Sequence, residues 1–227
     1  MSAKDLYPKT PQILNLGLKP YREVWELQKT LQADLIAGQG PETILTCEHL
    51  PVITAGRSAV PQNLLTPPAK LKELGIDLVY VERGGDFTYH GPGQLVVYPI
   101  LDLRMRRRDV AWYMRLLEEV IIKSLAWFEL PAFRLKGQTG VWTQVVENDR
   151  DSKARKIAAL GVRISHWCTM HGFSLNVLNC LDGFIHINPC GLQSSSVTSM
   201  QHEKQKAFKL HEVRKVVIKN FLEILGQ

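Results

Sequence analysis

The segment that most limits the fold is residues 109–128. Asp109 can cap its start, and Val110, Tyr113, Leu116, Leu117, Val120, Ile121 and Leu125 recur at helical spacing, so the segment reads as an amphipathic helix with one apolar face. On either side of it lie runs of short apolar segments, with no regular alternation of strand and helix. A doubly wound parallel sheet needs a crossover helix after nearly every strand. A long central helix between runs of strands instead predicts an α+β domain, with a mixed or antiparallel β-sheet packed with helices.

The remaining elements follow from the same periodicities. Residues 12–17 predict a first strand, and residues 21–37 a second amphipathic helix through Val24, Leu27, Leu31 and Leu35. Residues 43–47 read as a short strand, broken into a loop by Leu50-Pro51 and Ala55-Gly56-Arg57. Residues 61–75 form a Pro-containing connection with a short helix, and residues 77–82 a strand that ends at Gly84-Gly85. Gly91-Pro92-Gly93 is a tight loop before a strand over 94–100. Beyond the central helix come a strand over 140–146, a polar connection over 147–155, and strands over 156–164 and 171–177. A loop-rich stretch over 179–191, a short helix starting near Thr198 and Ser199, and an amphipathic helix over 210–225 complete the chain. Nothing repeats and no linker interrupts the pattern, so the 227 residues are expected to form a single domain, 1–227, with its core over about 12–225.

Composition narrows the function classes. No apolar run approaches the roughly 18 residues a membrane span requires. Residues 1–5 lack both a signal-peptide core and an Arg-rich leader pattern, so a cytoplasmic location is expected. The net charge of +6 suits a nucleic-acid binder, a protein drawn to anionic surfaces, or an enzyme with acidic partners. A nucleic-acid binder should show clustered Lys and Arg interleaved with aromatic platforms. Here the basic residues are spread out, apart from Arg104, Arg106, Arg107 and Arg108, so neither nucleic acid nor membrane is expected as a partner. The plain reading of that arginine run is a solvated turn between a strand and a helix. The four cysteines, Cys47, Cys168, Cys180 and Cys190, are expected as free thiols, because a domain of this size can build its own core without disulfides.

Several residues could carry chemistry. Arg83-Gly84-Gly85-Asp86-Phe87-Thr88-Tyr89-His90-Gly91-Pro92-Gly93 packs five glycines and prolines into eleven residues directly after a strand. Such a loop lets backbone N–H groups approach a ligand, or it is simply a pair of turns with a structural histidine. It matches neither a phosphate-binding loop nor a dinucleotide fingerprint. Asn188-Pro189-Cys190-Gly191 sets a cysteine on a turn that can expose its sulfur. A nucleophilic cysteine needs a nearby cation, for which Lys156, Arg163, Arg83 and the histidines are candidates; the plain alternative is a small buried apolar residue. Cys47 and Cys180 lie in apolar surroundings and read as structural. Cys168 with His171, and His186 with Cys190, have tolerable zinc spacing without the paired Cys-x2-Cys pattern of common structural sites. Lys156 opens a strand that otherwise runs into the core, which can lay a lysine over a cleft.

Taken together, these segments resemble the lipoyl(octanoyl) transferases, octanoyl-[acyl-carrier-protein]:protein N-octanoyltransferases. The resemblance rests, in chain order, on the stretch from Cys47 to Gly56, the stretch from Arg83 to Gln94, Gly140-Val141-Trp142, the strand from Lys156 to Ile164, the stretch from His171 to Val177, and Asn188 to Gly191. It implies a single domain with the fold of the biotin and lipoate protein ligase catalytic domains. It further implies transfer of an octanoyl group from octanoyl-acyl carrier protein to a lysine of apo lipoyl domains, those of 2-oxoacid dehydrogenase complexes and of the glycine cleavage protein. The family's nucleophile falls on Cys190 and its partner lysine on Lys156, favoured over Lys153 by adjacency to Ile157-Ala158-Ala159-Leu160-Gly161. The substrate-binding positions fall on Arg83, Gly84, Gly85, Asp86, Phe87, Thr88, Tyr89 and His90, on Ala159, Leu160 and Gly161, and on Gly172, Phe173 and Ser174. The regions of Gly161 and Gly191 are candidates for oxyanion donors. No cofactor and no metal is implied, since the donor thioester is already activated, and the chain is expected to be a monomer. Two stretches depart from the pattern: the long connection over 145–155 and the residues Gln193 to Val197 after the cysteine turn. Because the implied partners are acidic, the resemblance also suggests that Arg104 to Arg108 takes part in docking. The rival readings are an ATP-dependent ligase on the same fold, which needs no cysteine at position 190, and a non-catalytic zinc or nucleic-acid binding module.

Overall fold

Short apolar segments bounded by Gly, Pro and polar residues become strands, and these gather into two sheets. The computed structural model describes residues 10–143, 154–178, 181–189 and 197–226. The larger sheet has seven strands: β1 (Gln12–Lys19), β2 (Thr43–His49), β6 (Gln94–Ile100), β7 (Ala132–Leu135), β8 (Gln138–Thr143), β9 (Arg155–Ser165) and β10 (Cys168–Asn176), in the spatial order β1-β2-β6-β10-β9-β8-β7. The smaller holds β3 (Val52–Ala55), β4 (Asp77–Tyr80) and β5 (Phe87–His90), with β3 central. Both sheets are mixed. The parallel pairs are β1 with β2 and β3 with β4, each joined through an intervening helix as a parallel pair requires. All other pairs are antiparallel.

The helices are α1 (Tyr21–Ile36), α2 (Pro68–Glu73), α3 (Val110–Trp127), α4 (Met200–Lys204) and α5 (Leu210–Leu225). The large sheet separates two apolar layers because its strands alternate sides. Ile44, Leu95 and Val97 pack under α3 and α5 with Leu117, Val120, Ile121, Val217 and Phe221. Their neighbours Leu45, Val96 and Tyr98 pack instead with Tyr21 and Val24 of α1. The Asp109 side chain accepts a hydrogen bond from the Trp112 N–H at 2.9 Å, the cap expected from the sequence. Ser199 caps α4 in the same way through His202. His166 and Trp167 both adopt positive φ (50° and 63°), and this two-residue turn closes the β9–β10 hairpin with a twist that matches its strands.

Four expectations are corrected here. Residues 52–55, read as part of a loop, form β3, whose four side chains are all buried. A strand buried on both faces shows no alternation, so the proline and glycine flanking it mask the signal. Phe87 to His90, read within a glycine loop, form β5, and Ala132–Leu135 forms a strand where none was expected. Val110, counted on the apolar face of the central helix, is 48 % exposed and turns toward a cavity instead of the core. The connection over 145–153, Lys153, Cys180, Cys190, Gly191 and residues 193–196 lie outside the described residues. None of the described helices is long and apolar enough to cross a membrane.

Candidate active site

A cavity of about 630 Å³ is enclosed by β5, β6, β9, β10, the 83–86 turn and the first turns of α3. Its wall gathers Arg83, Gly84, Gly85, Asp86, Phe87, Thr88 and His90 from one sequence segment, Ala159, Leu160 and Gly161 from a second, and Gly172, Phe173 and Ser174 from a third. The last two segments meet by strand register: Ala159 faces Ser174, Leu160 faces Phe173, and Gly161 faces Gly172. Tyr89 does not line the cavity. It shares the apolar cluster behind β5, with its ring 5.7 Å edge-on to Phe184 and Gly183 packed against it.

Lys156 and Pro189 also line the cavity. The Lys156 side chain is almost wholly buried, with Nζ 5.0 Å from the Trp142 ring centroid. It runs over Gly140, where a Cβ would stand 2.9 Å from Lys156 Cε. Gly140 has φ 131°, a conformation that glycine alone adopts readily, so backbone and space both require glycine there. Arg83 and Arg163, two further candidate cations, serve the cavity wall and its surroundings. Arg83 donates to the Thr54 carbonyl at 2.7 Å and the Asp86 carbonyl at 2.8 Å, knitting the glycine turn to β3. Arg163 pairs with Glu82 at 2.8 Å. Asp86 works from the other side of the turn, accepting from the Val60 and Phe87 N–H groups and from the Asn63 amide.

A buried polar chain runs behind the wall. His90 Nδ1 lies 2.6 Å from Gln94 Oε1, the Gln94 amide donates to Asn176 Oδ1 at 2.8 Å, and the Asn176 amide donates to the Thr198 carbonyl at 2.9 Å. The Thr198 N–H in turn donates to the Lys156 carbonyl at 2.9 Å, so the chain ends on the strand that carries the lysine. A second group joins His49 Nε2 to the Tyr98 hydroxyl at 2.8 Å, with the Cys47 sulfur 3.5 Å away. Gln94, Asn176, Tyr21 and Tyr98 were not singled out in the sequence. Each is a single polar or aromatic residue in an ordinary strand or helix pattern, and only folding brings them together.

Burial sets the protonation of this region. It pushes His49 down to about 4 and His90 to about 3, and lowers His171 as well. It raises the Cys47 thiol far above its ordinary range and moves Cys168 up to about 11, as inert structural thiols require. A histidine whose folded pKa lies below its unfolded value, 6.5, stabilises the fold above that value. That stability is lost as pH falls from about 6.5 toward the folded values, because the unfolded chain takes up the protons first. Thermal unfolding across this range should therefore show a falling Tm below about pH 6.5, with a shallower fall in His90→Gln; an unchanged slope in that variant would contradict the assignment.

Other sequence candidates disperse. Cys168 lies 3.8 Å from Arg104 Nη2, whereas His171, three residues along the same strand, turns toward Glu82 and Tyr98. They do not form half of a zinc site. Three arginines of the basic run are held by carboxylates: Arg104 by Asp102, Arg106 by Glu42, and Arg107 by Asp109. The run therefore projects less positive charge than its sequence suggests, and Arg108 stands exposed two residues before Val110 at the cavity lip.

With this geometry in place, comparison with known proteins is informative. Residues 20–222 match the lipoyl protein ligase A/B catalytic domain. The chain is 42% identical over 214 residues to the octanoyltransferase of Syntrophotalea carbinolica, covering 94% of each chain. It is 45% identical over 212 residues to that of Koribacter versatilis, covering 92% of this chain and 82% of the relative. Among solved structures, the bi-partite lipoate protein ligase of Thermoplasma acidophilum superposes with a TM-score of 0.71 at 18% identity, covering 95% of this chain and 84% of that one. The biotin protein ligase of Aquifex aeolicus, in complex with biotin and ATP, gives 0.55 at 15% identity, covering 95% and 70%. These two likenesses concern the fold, and it is the fold expected from the sequence.

Proposed function

The chain belongs to the lipoyl protein ligase A/B catalytic-domain family, among the octanoyltransferases, and we propose that it moves an octanoyl group from acyl carrier protein to a lysine of apo lipoyl domains through a thioester on Cys190. The observation that supports this reading is that Lys156 and Pro189, the residue before Cys190, line the same cavity as the three substrate-binding segments. Lys156 accepts the Cys190 thiol proton, and the thiolate attacks the carbonyl of the donor thioester. The tetrahedral intermediate collapses, the carrier thiolate leaves with the proton from Lys156, and octanoyl-Cys190 remains. The neutral amine of the incoming lysine then attacks this thioester. An amide forms, Cys190 leaves as thiolate, and the amine proton returns to it by way of Lys156. Gly161 stands five residues along β9 from Lys156, roughly 16 Å, so in this reading it serves the acyl tail, and the oxyanion role falls to the Gly191 side. Cys47 and Cys168 as free thiols fit a reducing, cytoplasmic setting, and the enzyme acts as a monomer.

The test is intact mass after mixing the protein with octanoyl-acyl carrier protein without ATP. One octanoyl group should be gained, map to the peptide containing Cys190, and be discharged by apo lipoyl domain. Absence of an adduct, with transfer only when ATP is added, would establish the ligase reading instead.

Docking follows from the lip of the cavity. Arg108 precedes Val110 and Met114 on the wall, so an acidic carrier can be steered there. Arg107→Glu with Arg108→Glu should raise the apparent KM for the carrier by about tenfold at low salt, while a small octanoyl thioester is used as before. Equal losses on both donors would refute the docking role.

A further inference from the structure

The residues that lead to Cys190 lie outside both sheets. Asp182–His186 is a short 3-10 turn, and Ile187 and Asn188 continue from it to Pro189 on the cavity wall. Phe184 and Ile187 are buried in one apolar cluster with Ala55, Phe87 and Tyr89. Such packing holds the segment down, but apolar attraction is non-directional and sets no register. The register comes from a small antiparallel ladder against residues 63–65. The Asn188 N–H donates to the Asn63 carbonyl at 2.8 Å, the Leu65 N–H donates to the His186 carbonyl at 2.9 Å, and Leu64 faces Ile187 between them. Thr66 Oγ1 lies 2.9 Å from His186 Nδ1 and extends the contact.

Asn63 ends its own 3-10 turn, Pro61–Asn63, and its side chain reaches the other way, to the cavity wall. Its amide donates to Asp86 Oδ2, while Asp86 Oδ1 accepts from the Val60 N–H at 3.0 Å and the Phe87 N–H at 2.8 Å. Asp86 is 7 % exposed, and these three donors occupy its carboxylate. The 83–86 turn is held to the same segment by its backbone, through the Arg57 N–H to the Arg83 carbonyl and the Ser58 N–H to the Gly85 carbonyl. Asn63 therefore hydrogen-bonds on one side to the turn that shapes the cavity and on the other to the segment that ends at Pro189.

Resting on the octanoyl-transfer reading, we propose that Asn63 is a positioning residue: held by the Asp86 carboxylate, it sets the register of residues 186–189 against the cavity wall and so aims Cys190 at the bound acyl carbonyl. Asp86 is its partner in this role, with a carboxylate that serves residues 60–63 and the start of β5. Neither side chain takes part in the chemistry. Each works through the reach of the nucleophile, where a displacement of about 1 Å costs about a hundredfold in rate.

The experiment reverses the polarity of the bond. Asn63→Asp sets two carboxylates against each other. Asp86→Asn turns an amide either onto the Asn63 amide or onto the Val60 and Phe87 N–H groups, donor against donor in both cases. Each single variant should slow octanoylation of Cys190 by a small octanoyl thioester about a hundredfold in a single turnover, and Asn63→Asp should leave the apparent KM for that donor within about twofold. In the combined variant the amide at position 86 donates to the carboxylate at position 63, and its carbonyl oxygen accepts the two backbone N–H groups as before. The rate should return to within about fivefold of the unmodified protein. A purely structural role would not produce this recovery together with the split between rate and KM. A folded Asn63→Asp that is acylated at the unmodified rate would overturn the proposal. So would a combined variant that is unfolded, or that melts with the unmodified protein yet stays as slow as the single variants, and this arm decides even if neither single variant folds. Absence of an octanoyl adduct on the unmodified protein would instead refute the octanoyl-transfer reading on which the proposal rests.

Discussion

Cys190→Ala should abolish octanoyl transfer, Lys156→Ala should lower it by about a thousandfold, and the double variant should be no worse than Cys190→Ala alone. The non-additivity is the informative part. If Lys156 acts only by moving the Cys190 proton, it has nothing to do once the thiol is gone. Lys156→Arg offers a sharper test. A guanidinium preserves the positive charge and the Trp142 contact but cannot accept a proton, so it should not rescue activity. If the arginine variant works, the residue contributes only charge and the proton relay is wrong. Gly140 belongs to the same argument, because its bare backbone makes room for the Lys156 stem. Gly140→Ala should displace the lysine and lower kcat while leaving carrier binding intact. Single-turnover acylation followed by mass spectrometry separates these cases, since each variant fails before or after the thioester forms.

The sequence was legible where one physical signal acted alone. The Asp109 cap and the periodicity of Tyr113, Leu116, Leu117, Val120 and Ile121 located α3, and the structure retains both. Alternation located β9, although the helical apolar count misassigned Val110, which periodicity cannot distinguish from a core residue. Two effects at once were harder to read. Phe87 to His90 pair as a strand while glycines crowd both flanks, and the turn signal hid the strand. The segments proposed to bind substrate were legible only as a family pattern. Their meaning is the register that sets Ala159-Leu160-Gly161 against Gly172-Phe173-Ser174, a long-range pairing with no local signature. The exception inside that pattern is also explained by structure: Tyr89 follows its side of β5 into the apolar cluster, whereas Thr88 faces the cavity.

Gly84, Gly161 and Gly172 look alike in the sequence, and replacing each by alanine should separate them. At Gly172 a Cβ would stand 2.2 Å from the Val97 carbonyl oxygen and 2.7 Å from Pro99 Cδ. Both belong to β6, which pairs with β10 near the middle of the seven-stranded sheet, so nothing flexible can yield. The strands must part, and overpacking of this kind costs about 3 kcal/mol. For a chain of this length, that lowers Tm by about 10 °C. At Gly161 the nearest atoms are the Gly84 carbonyl oxygen at 2.9 Å and Arg83 Cδ at 3.1 Å. The nearer is a backbone oxygen of the turn that Arg83 and Asp86 pin in place, so Gly161→Ala should also cost stability, less than Gly172→Ala because the approach is less close, and activity should fall with it because the cavity wall must move. At Gly84 the nearest atom, the Val162 carbonyl oxygen, is an ordinary contact at 3.7 Å, and Gly84→Ala should change Tm by about 1 °C or less. Thermal unfolding of the three variants beside their octanoyl-transfer rates tests the ranking. A Gly172→Ala protein as stable as Gly84→Ala would mean that β6 and β10 approach less closely than described, and the register that assembles the cavity would have to be redrawn.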